Sequence, residues 1–289
     1  MKLIRKIILL IVVLIVAFGP VNVSADQAPV DNGKEELTYQ ISEYDFYISV
    51  RSMQFVDAEE IYGISKDDYE SICSVEKELA ELALLNNDEL LARGMSTDQI
   101  MELRSYDGSR LEDNPQLRSV LATLSVTLSK VNSSSSAVTV KANWSWSSKP
   151  AVTSVLYYET AVFRWKAYNS SNAQITATYN SSGSYCYVTY YNGNTAQTSQ
   201  WTAINTGSST SYVYSQYHSD IMSGDNYYWA KTGYMIVKVT GSNISKVGFG
   251  FGYNHGISST PTSITLDSNL GFNYSNGYEM AEQSITIYV

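Results

Sequence analysis

The stretch Ala122-Thr123-Leu124-Ser125-Val126-Thr127-Leu128-Ser129 places an apolar residue at every second position, with Ser or Thr between. That is the period of a strand buried on one face and wet on the other. Downstream, Val138, Val140, Ala142, Trp144 and Trp146 repeat the pattern until Lys149-Pro150 stops it. Upstream, Leu117, Val120 and Leu121 still follow a spacing of three and four. The change of period near Ala122 divides the chain into a helical part and a β part.

Charge divides at the same place. Residues 26–122 hold 22 acids and 8 bases, whereas residues 123–289 hold 6 acids and 8 bases. All five Trp and 18 of the 24 Tyr lie after residue 122. Two compositional regimes meeting at one position predict two structural units. The expected organisation is a leader over 1–25, an acidic, mainly helical segment over 26–121, and a β-sandwich over 122–289. The order of residues 26–50 stays open. Leu37, Tyr39 and Ile41 alternate there, but Phe46, Ile48, Val50, Met53 and Phe55 fit neither period.

The leader reads as a secretory signal peptide. Lys2, Arg5 and Lys6 precede the twelve apolar residues Ile7 to Phe18, and Val23-Ser24-Ala25 offers small residues before a cut at Asp26. Twelve residues make roughly 18 Å of helix, short of the ~30 Å hydrocarbon core. The expectation is therefore a released, extracellular product with no permanent membrane anchor after cleavage. The formal charge of −9 argues against a nucleic-acid partner. Two His and two Cys are too few for a zinc cluster, and no metal or other cofactor is expected.

In the acidic part, three Ser residues open capping boxes: Ser65 with Asp68, Ser96 with Gln99, and Ser109 with Glu112. The first predicts one helix bearing Tyr69, Ile72, Cys73, Leu79, Leu82 and Ala83 on its apolar face. Asn86-Asn87 then caps the next helix, which Gly94 ends. In the β part, strands are expected over 160–168, 173–180, 184–191, 210–218, 227–240, 244–253, 262–267 and 283–289. This is an α+β chain with an antiparallel β-sandwich of jelly-roll or immunoglobulin-like type.

Residues Leu90-Leu91-Ala92-Arg93-Gly94-Met95-Ser96-Thr97-Asp98-Gln99-Ile100 and Tyr106-Asp107-Gly108-Ser109 carry a resemblance. So do Ala122 to Ser129, Trp144-Ser145-Trp146-Ser147-Ser148-Lys149-Pro150 and Gly252-Tyr253-Asn254-His255-Gly256. In these stretches the chain resembles exported, functionally uncharacterised proteins of Gram-positive bacteria. The resemblance implies a helical segment followed by a β domain. It brings no activity and no catalytic residues.

The candidate chemistry is thin. His218 and His255 lie near strand ends, where loops converge, but no Gly-x-Ser-x-Gly elbow is present. The acids of the β part, Glu159, Asp220, Asp225, Asp267, Glu279 and Glu282, show no pair spacing. A hydrolase is therefore the third reading. Binding comes first, because Tyr and Trp give rigid contact area with a polar handle. The candidates are Trp201, Tyr157, Tyr158, Tyr190 and Tyr191, with His218 and His255 beside them. In each Tyr pair one ring must face outward if the pair lies in a strand. The partner would be a glycan or a cell-surface protein. The second reading is a toxin or bacteriocin-like protein inserting a hairpin such as residues 210–217 into membranes.

Two features are structural questions. Gly248, Gly250 and Gly252 leave one face of a strand bare, either for a large side chain of the sandwich or for a flat ligand. Cys73 and Cys186 are either buried free thiols or a disulfide whose long loop would contribute ~4–5 kcal/mol.

Overall fold

The computed structural model describes residues 36–62, 64–151, 158–206, 211–223, 226–255, 264–266, 272–274 and 278–289. The period-two stretch forms a hairpin of β2 (Thr123–Ser134) and β3 (Ala137–Trp146). Its register sets Leu124 opposite Trp146, Val126 opposite Trp144 and Leu128 opposite Ala142, so all the apolar residues share one face. These six residues are buried, while the Ser, Thr, Lys and Asn between them stay partly open. Removing one such large side chain from water stabilises by roughly 1.5–3 kcal/mol.

The larger sheet grows from this hairpin in both directions. β12 (Asn226–Gly241), β7 (Tyr185–Asn192) and β8 (Thr195–Thr202) follow β3 in that order, and β1 (Glu36–Ser42) lies on the other side of β2. β6 (Ala177–Tyr179) and β11 (Asp220–Ser223) pair with the two ends of β12. The smaller sheet runs β16 (Tyr278–Tyr288), β13 (Lys246–His255), β4 (Tyr158–Tyr168), β10 (Tyr212–His218) and β9 (Asn205–Thr206), with β5 (Gln174–Ile175) on β4. Every pairing described is antiparallel, and β14 (Ile264–Leu266) with β15 (Phe272–Tyr274) makes a separate pair.

Aromatic rings from both sheets fill the space between them. Trp144 stacks on Tyr217 at 5.9 Å and on Phe251 at 6.3 Å, and Phe251 meets Phe163 at 5.0 Å. Trp144 and Trp146 are therefore core residues, as the aliphatic company on their strand face implies. Trp144 also presses on Gly233, where a Cβ would lie 2.4 Å from its ring. Gly248, Gly250 and Gly252 lie in β13, a central strand between β4 and β16, and all three are buried.

Six short helices lie between β1 and β2: α1 (Glu43–Arg51), α2 (Phe55–Tyr62), α3 (Lys66–Cys73), α4 (Val75–Leu84), α5 (Asn87–Ala92) and α6 (Thr97–Ser105). Ser65, Asn86 and Ser96 cap α3, α5 and α6, the last two as full capping boxes with Glu89 and Gln99. Gly94 takes φ +82°, which suits glycine at a helix end.

Two details differ from the sequence reading, and a third concerns a stretch that it left open. The helix expected from Ser65 breaks at Ser74 (φ −107°), so Cys73 ends α3 exposed instead of lying on the apolar face. Ser109 caps no α-helix. Its N–H donates to Asp107 Oδ1 (2.9 Å) in a turn, and only the 3-10 turns Leu111–Asp113 and Pro115–Ser119 follow. Residues 36–50 form β1 and α1, with Leu37, Tyr39 and Ile41 pairing with Leu128, Val126 and Leu124 on the inward face.

The helices cap one end of the sandwich, and the buried core runs unbroken from Tyr47 and Leu79 into Leu124 and Trp146. Glu43, fully buried at the start of α1, accepts from the N–H of Ala122 (2.7 Å), the N–H of Ala151 (3.1 Å) and the Tyr47 hydroxyl (2.6 Å). Ala92 O accepts from Gly193 N–H (2.7 Å), and Arg93 O from Lys149 N–H (2.8 Å).

Candidate functional site: an aromatic face on the larger sheet

Side chains alternate along each strand, so half of the larger sheet's residues point away from the core. One line of them crosses six strands: Thr38 opposite Thr127, Thr127 opposite Asn143, Asn143 opposite Tyr234, Tyr234 opposite Tyr187, and Tyr187 opposite Trp201. This line carries no charged residue. At its β8 end four rings close on one another. Trp201 meets Tyr187 at 4.6 Å and Tyr185 at 5.3 Å, and Tyr234 meets Tyr187 at 5.6 Å and Tyr185 at 5.9 Å. Trp201 is 65% exposed and Tyr185 39%. The Lys141 ammonium sits 4.5 Å over the Tyr234 ring. Partial burial and the neighbouring phenols Tyr185 and Tyr187 push the Tyr234 phenol above its ordinary range, which keeps it a neutral donor.

A second line runs beside the first: Gln40, Ser125, Ser145, Thr232, Thr189 and Ser199. Its ends satisfy themselves. Gln40 Nε2 donates to Ser125 Oγ (3.0 Å), and Ser199 Oγ donates to Thr189 Oγ1 (3.0 Å). In the first line, Thr38 and Thr127 hydroxyls likewise pair at 3.0 Å. Among the described residues, Asn143, Ser145 and Thr232 in the middle make no such side-chain bond, and all three are partly open to solvent. An aromatic floor thus adjoins an uncommitted amide and two uncommitted hydroxyls.

The residues singled out from sequence fall in different places. Trp201 is on this face. Tyr190 is fully buried, with its hydroxyl donating to His218 O (2.9 Å), so it offers no outward ring. Tyr191 is the outward member of that pair, half-buried under Lys231 at 5.7 Å. Tyr158 and His218 oppose each other on the outer face of the smaller sheet, rings 4.1 Å apart. Tyr157 lies outside the described residues, as do residues 1–25. The face was missed at Tyr185, Tyr187 and Tyr234. The signal for the first two was present, since Cys186, Val188 and Tyr190 alternate with them. Tyr234 stands before the apolar run Met235 to Val237, where period two does not show.

His255 is fully enclosed, so it is no part of an accessible site. Its Nδ1–H donates to Glu159 Oε1 at 2.6 Å. Glu159, Asp220, Trp229 and His255 line a cavity of about 10 Å3, room for roughly one water and no substrate. Asp220 pairs with Lys149, whose ammonium is lowered below its ordinary range by burial, against the pull of Asp220. A larger concavity of about 270 Å3 lies along β4 and β5, but its one indole, Trp165, is buried with its N–H on Ala177 O (2.8 Å). Cys73 and Cys186 are both free, the first exposed and the second buried, so the pair is neither a disulfide nor two buried thiols. Among the described residues no group of three or more His, Cys, Asp or Glu could hold a metal ion, and no helix is long and apolar enough to cross a membrane.

No protein-family model matches the chain, and neither does any curated protein. Solved structures give partial likenesses. The collagen-binding domain of a Staphylococcus aureus adhesin matches at 5% identity over 56% of this chain and 95% of that one, with a TM-score of 0.27. The KRT10-binding region domain of the pneumococcal serine-rich repeat protein PsrP matches at 18% identity, over 55% and 89%, with a TM-score of 0.24. Clostridium perfringens delta-toxin matches at 9% identity, over 57% and 83%, with a TM-score of 0.18. Likenesses this weak carry no argument about role.

Proposed function

We propose that this chain is an exported binding module that holds a glycan on the outer face of its larger sheet. One observation carries the reading: Trp201, Tyr187, Tyr185 and Tyr234 form a continuous open aromatic surface beside the uncommitted Asn143, Ser145 and Thr232. Flat rings cover the C–H faces of sugars, and nearby amides and hydroxyls pair with sugar hydroxyls. Rings on successive strands stand about 4.8 Å apart across the sheet, which gives an extended chain repeated contacts. A protein partner would favour a central apolar pocket ringed by polar groups, and the rings of this face stand beside polar side chains on an open sheet surface.

The test is retention on insoluble cell-wall polysaccharide and on a glycan array. Trp201→Ala and Tyr187→Ala should each weaken binding about tenfold or more, as loss of a central aromatic anchor does. Tyr158→Ala, on the opposite face, should leave it unchanged. Retention indifferent to Trp201 would remove this face from the account. Capture by surface proteins alone would replace the glycan by a protein. Dye release from liposomes would favour the membrane-active reading instead.

A further inference from the structure

Among the lysine–carboxylate pairs of the described residues, Lys66–Glu70 and Lys77–Glu81 lie exposed on helices, whereas Lys149–Asp220 is withdrawn from water. Lys149 Nζ lies 2.5 Å from Asp220 Oδ2, with the two side chains 14% and 2% exposed. An ordinary ammonium–carboxylate bond is about 2.7–2.9 Å long. Asp220 Oδ1, Glu159 Oε2 and Trp229 Nε1 are all buried without a hydrogen-bond partner. Trp229 stands directly opposite Asp220 where β11 pairs with β12. Lys149, Asp220, Glu159 and Trp229 all line the cavity of about 10 Å3, with Trp146 and His255. A buried ion pair repays its desolvation only when the remaining polar atoms around it are satisfied. Here three are not, which makes the pair a poor source of stability. It is a good setting for a reaction between its two members.

We propose that Lys149 and Asp220 condense into an amide, an intramolecular cross-link between the end of β3 and the start of β11. A C–O bond adds about 1.23 Å to the observed contact, so Nζ lies no more than about 3.8 Å from Asp220 Cγ. Reacting atoms about 3–3.5 Å apart are poised for attack. The Lys149 main chain is held as well, its N–H donating to Arg93 O (2.8 Å). The first step passes one proton from the ammonium to the Asp220 carboxylate, leaving a neutral amine and a neutral acid. Burial and the charge of Arg93 lower the ammonium, against the pull of Asp220, and a desolvated site favours the neutral forms. The nitrogen lone pair then forms the N–C bond at Cγ, with the Trp229 indole N–H as the donor available to the tetrahedral oxygen. A second nitrogen proton passes to the departing hydroxyl with Glu159 as relay. The C–O bond breaks, the nitrogen keeps one hydrogen, and one water leaves. One amine and one carboxylic acid thus give one amide and one water, with no oxidant or cofactor. The cavity beside the pair has room for the water released. None of this depends on the aromatic face.

The experiment is intact mass spectrometry of the purified full chain. Its mass, counted from the observed N-terminus, should fall short of the sequence by one water. Digestion should release a branched peptide that joins Lys149 to Asp220. Lys149→Arg and Asp220→Ala should each restore the full mass and lose the branched peptide. Asp220→Asn should form the same cross-link by releasing ammonia in place of water, a product that only a folded and reactive site can give. Glu159→Gln should slow linkage on the order of a hundredfold, as loss of a proton-transferring group does, and Glu159→Asp, which keeps a carboxyl, should recover part of the rate. A native chain of full mass overturns the inference. So does a lost water that maps to any place other than Lys149 and Asp220. A Glu159→Gln chain that links as fast as the native one overturns the relay.

Discussion

At the scale of the residue, alternation told which side chains point inward but not what lies beyond them. Val138 to Trp146 could be placed in the core because aliphatic and indole groups share one face. Gly233 could not be singled out, because its need is set by Trp144 on the neighbouring strand. A Cβ there meets the ring at 2.4 Å, and the indole already packs on Tyr217 and Phe251. Gly233→Ala should therefore destabilise by about 1–3 kcal/mol, as overpacking does, in urea unfolding followed by Trp fluorescence. The cysteines make a second case. Cys73 is exposed and Cys186 is buried, with its thiol pushed up by burial, so only one should react with an aromatic disulfide reagent in the native state. Two should react after unfolding. Fewer than two would show that the thiols are joined or modified.

At the scale of the element, caps were the most legible signal, since a capping box lies within four residues. Asn86 and Ser96 cap as the sequence requires. Ser109 fails the same pattern because Asp107 captures its N–H first, a local competition between turn and helix. Gln99 does more than cap α6. Its Nε2 also donates to Ser119 O (2.7 Å), tying the helix to the turn before β2. Ser96→Ala should cost about 1 kcal/mol, and Gln99→Ala more than that, both read as shifts in urea midpoint. Among strands, β8 was invisible in the sequence. A strand whose residues are all exposed or only half-buried needs no apolar alternation, and Thr195 to Thr202 shows none.

At the scale of the whole molecule, the composition break at Ala122 marks a change of secondary structure but not of core. Beside the continuous apolar core, the parts are joined by a seam of buried and half-buried polar groups contributed by residues far apart in sequence: Glu43, Arg93, Lys149, Glu159, Asp220 and His255. No local pattern announces such a seam, because each member looks like an ordinary loop or strand-end residue until the chain brings them together. Glu43 is its keystone, the acceptor for three donors from both sides. Burial raises its carboxyl above the ordinary range, a tendency only partly opposed by the Tyr47 hydroxyl, the charge of His255 and the two backbone donors. A raised carboxyl binds its proton more tightly folded than unfolded. Between the unfolded value near 4.5 and the higher folded value, the native state therefore holds more protons, and stability falls as pH rises. Glu43→Gln cannot titrate, and its amide sets a donor against one of the backbone N–H groups, so it begins with a fixed cost of roughly 1–3 kcal/mol. Its disadvantage should shrink steadily as pH is raised from about 4 toward neutrality, because only the native Glu43 loses stability over that interval. Melting temperatures of both chains across this range test the assignment: a gap that stays constant or widens would mean that Glu43 is not the desolvated, titrating group at the seam.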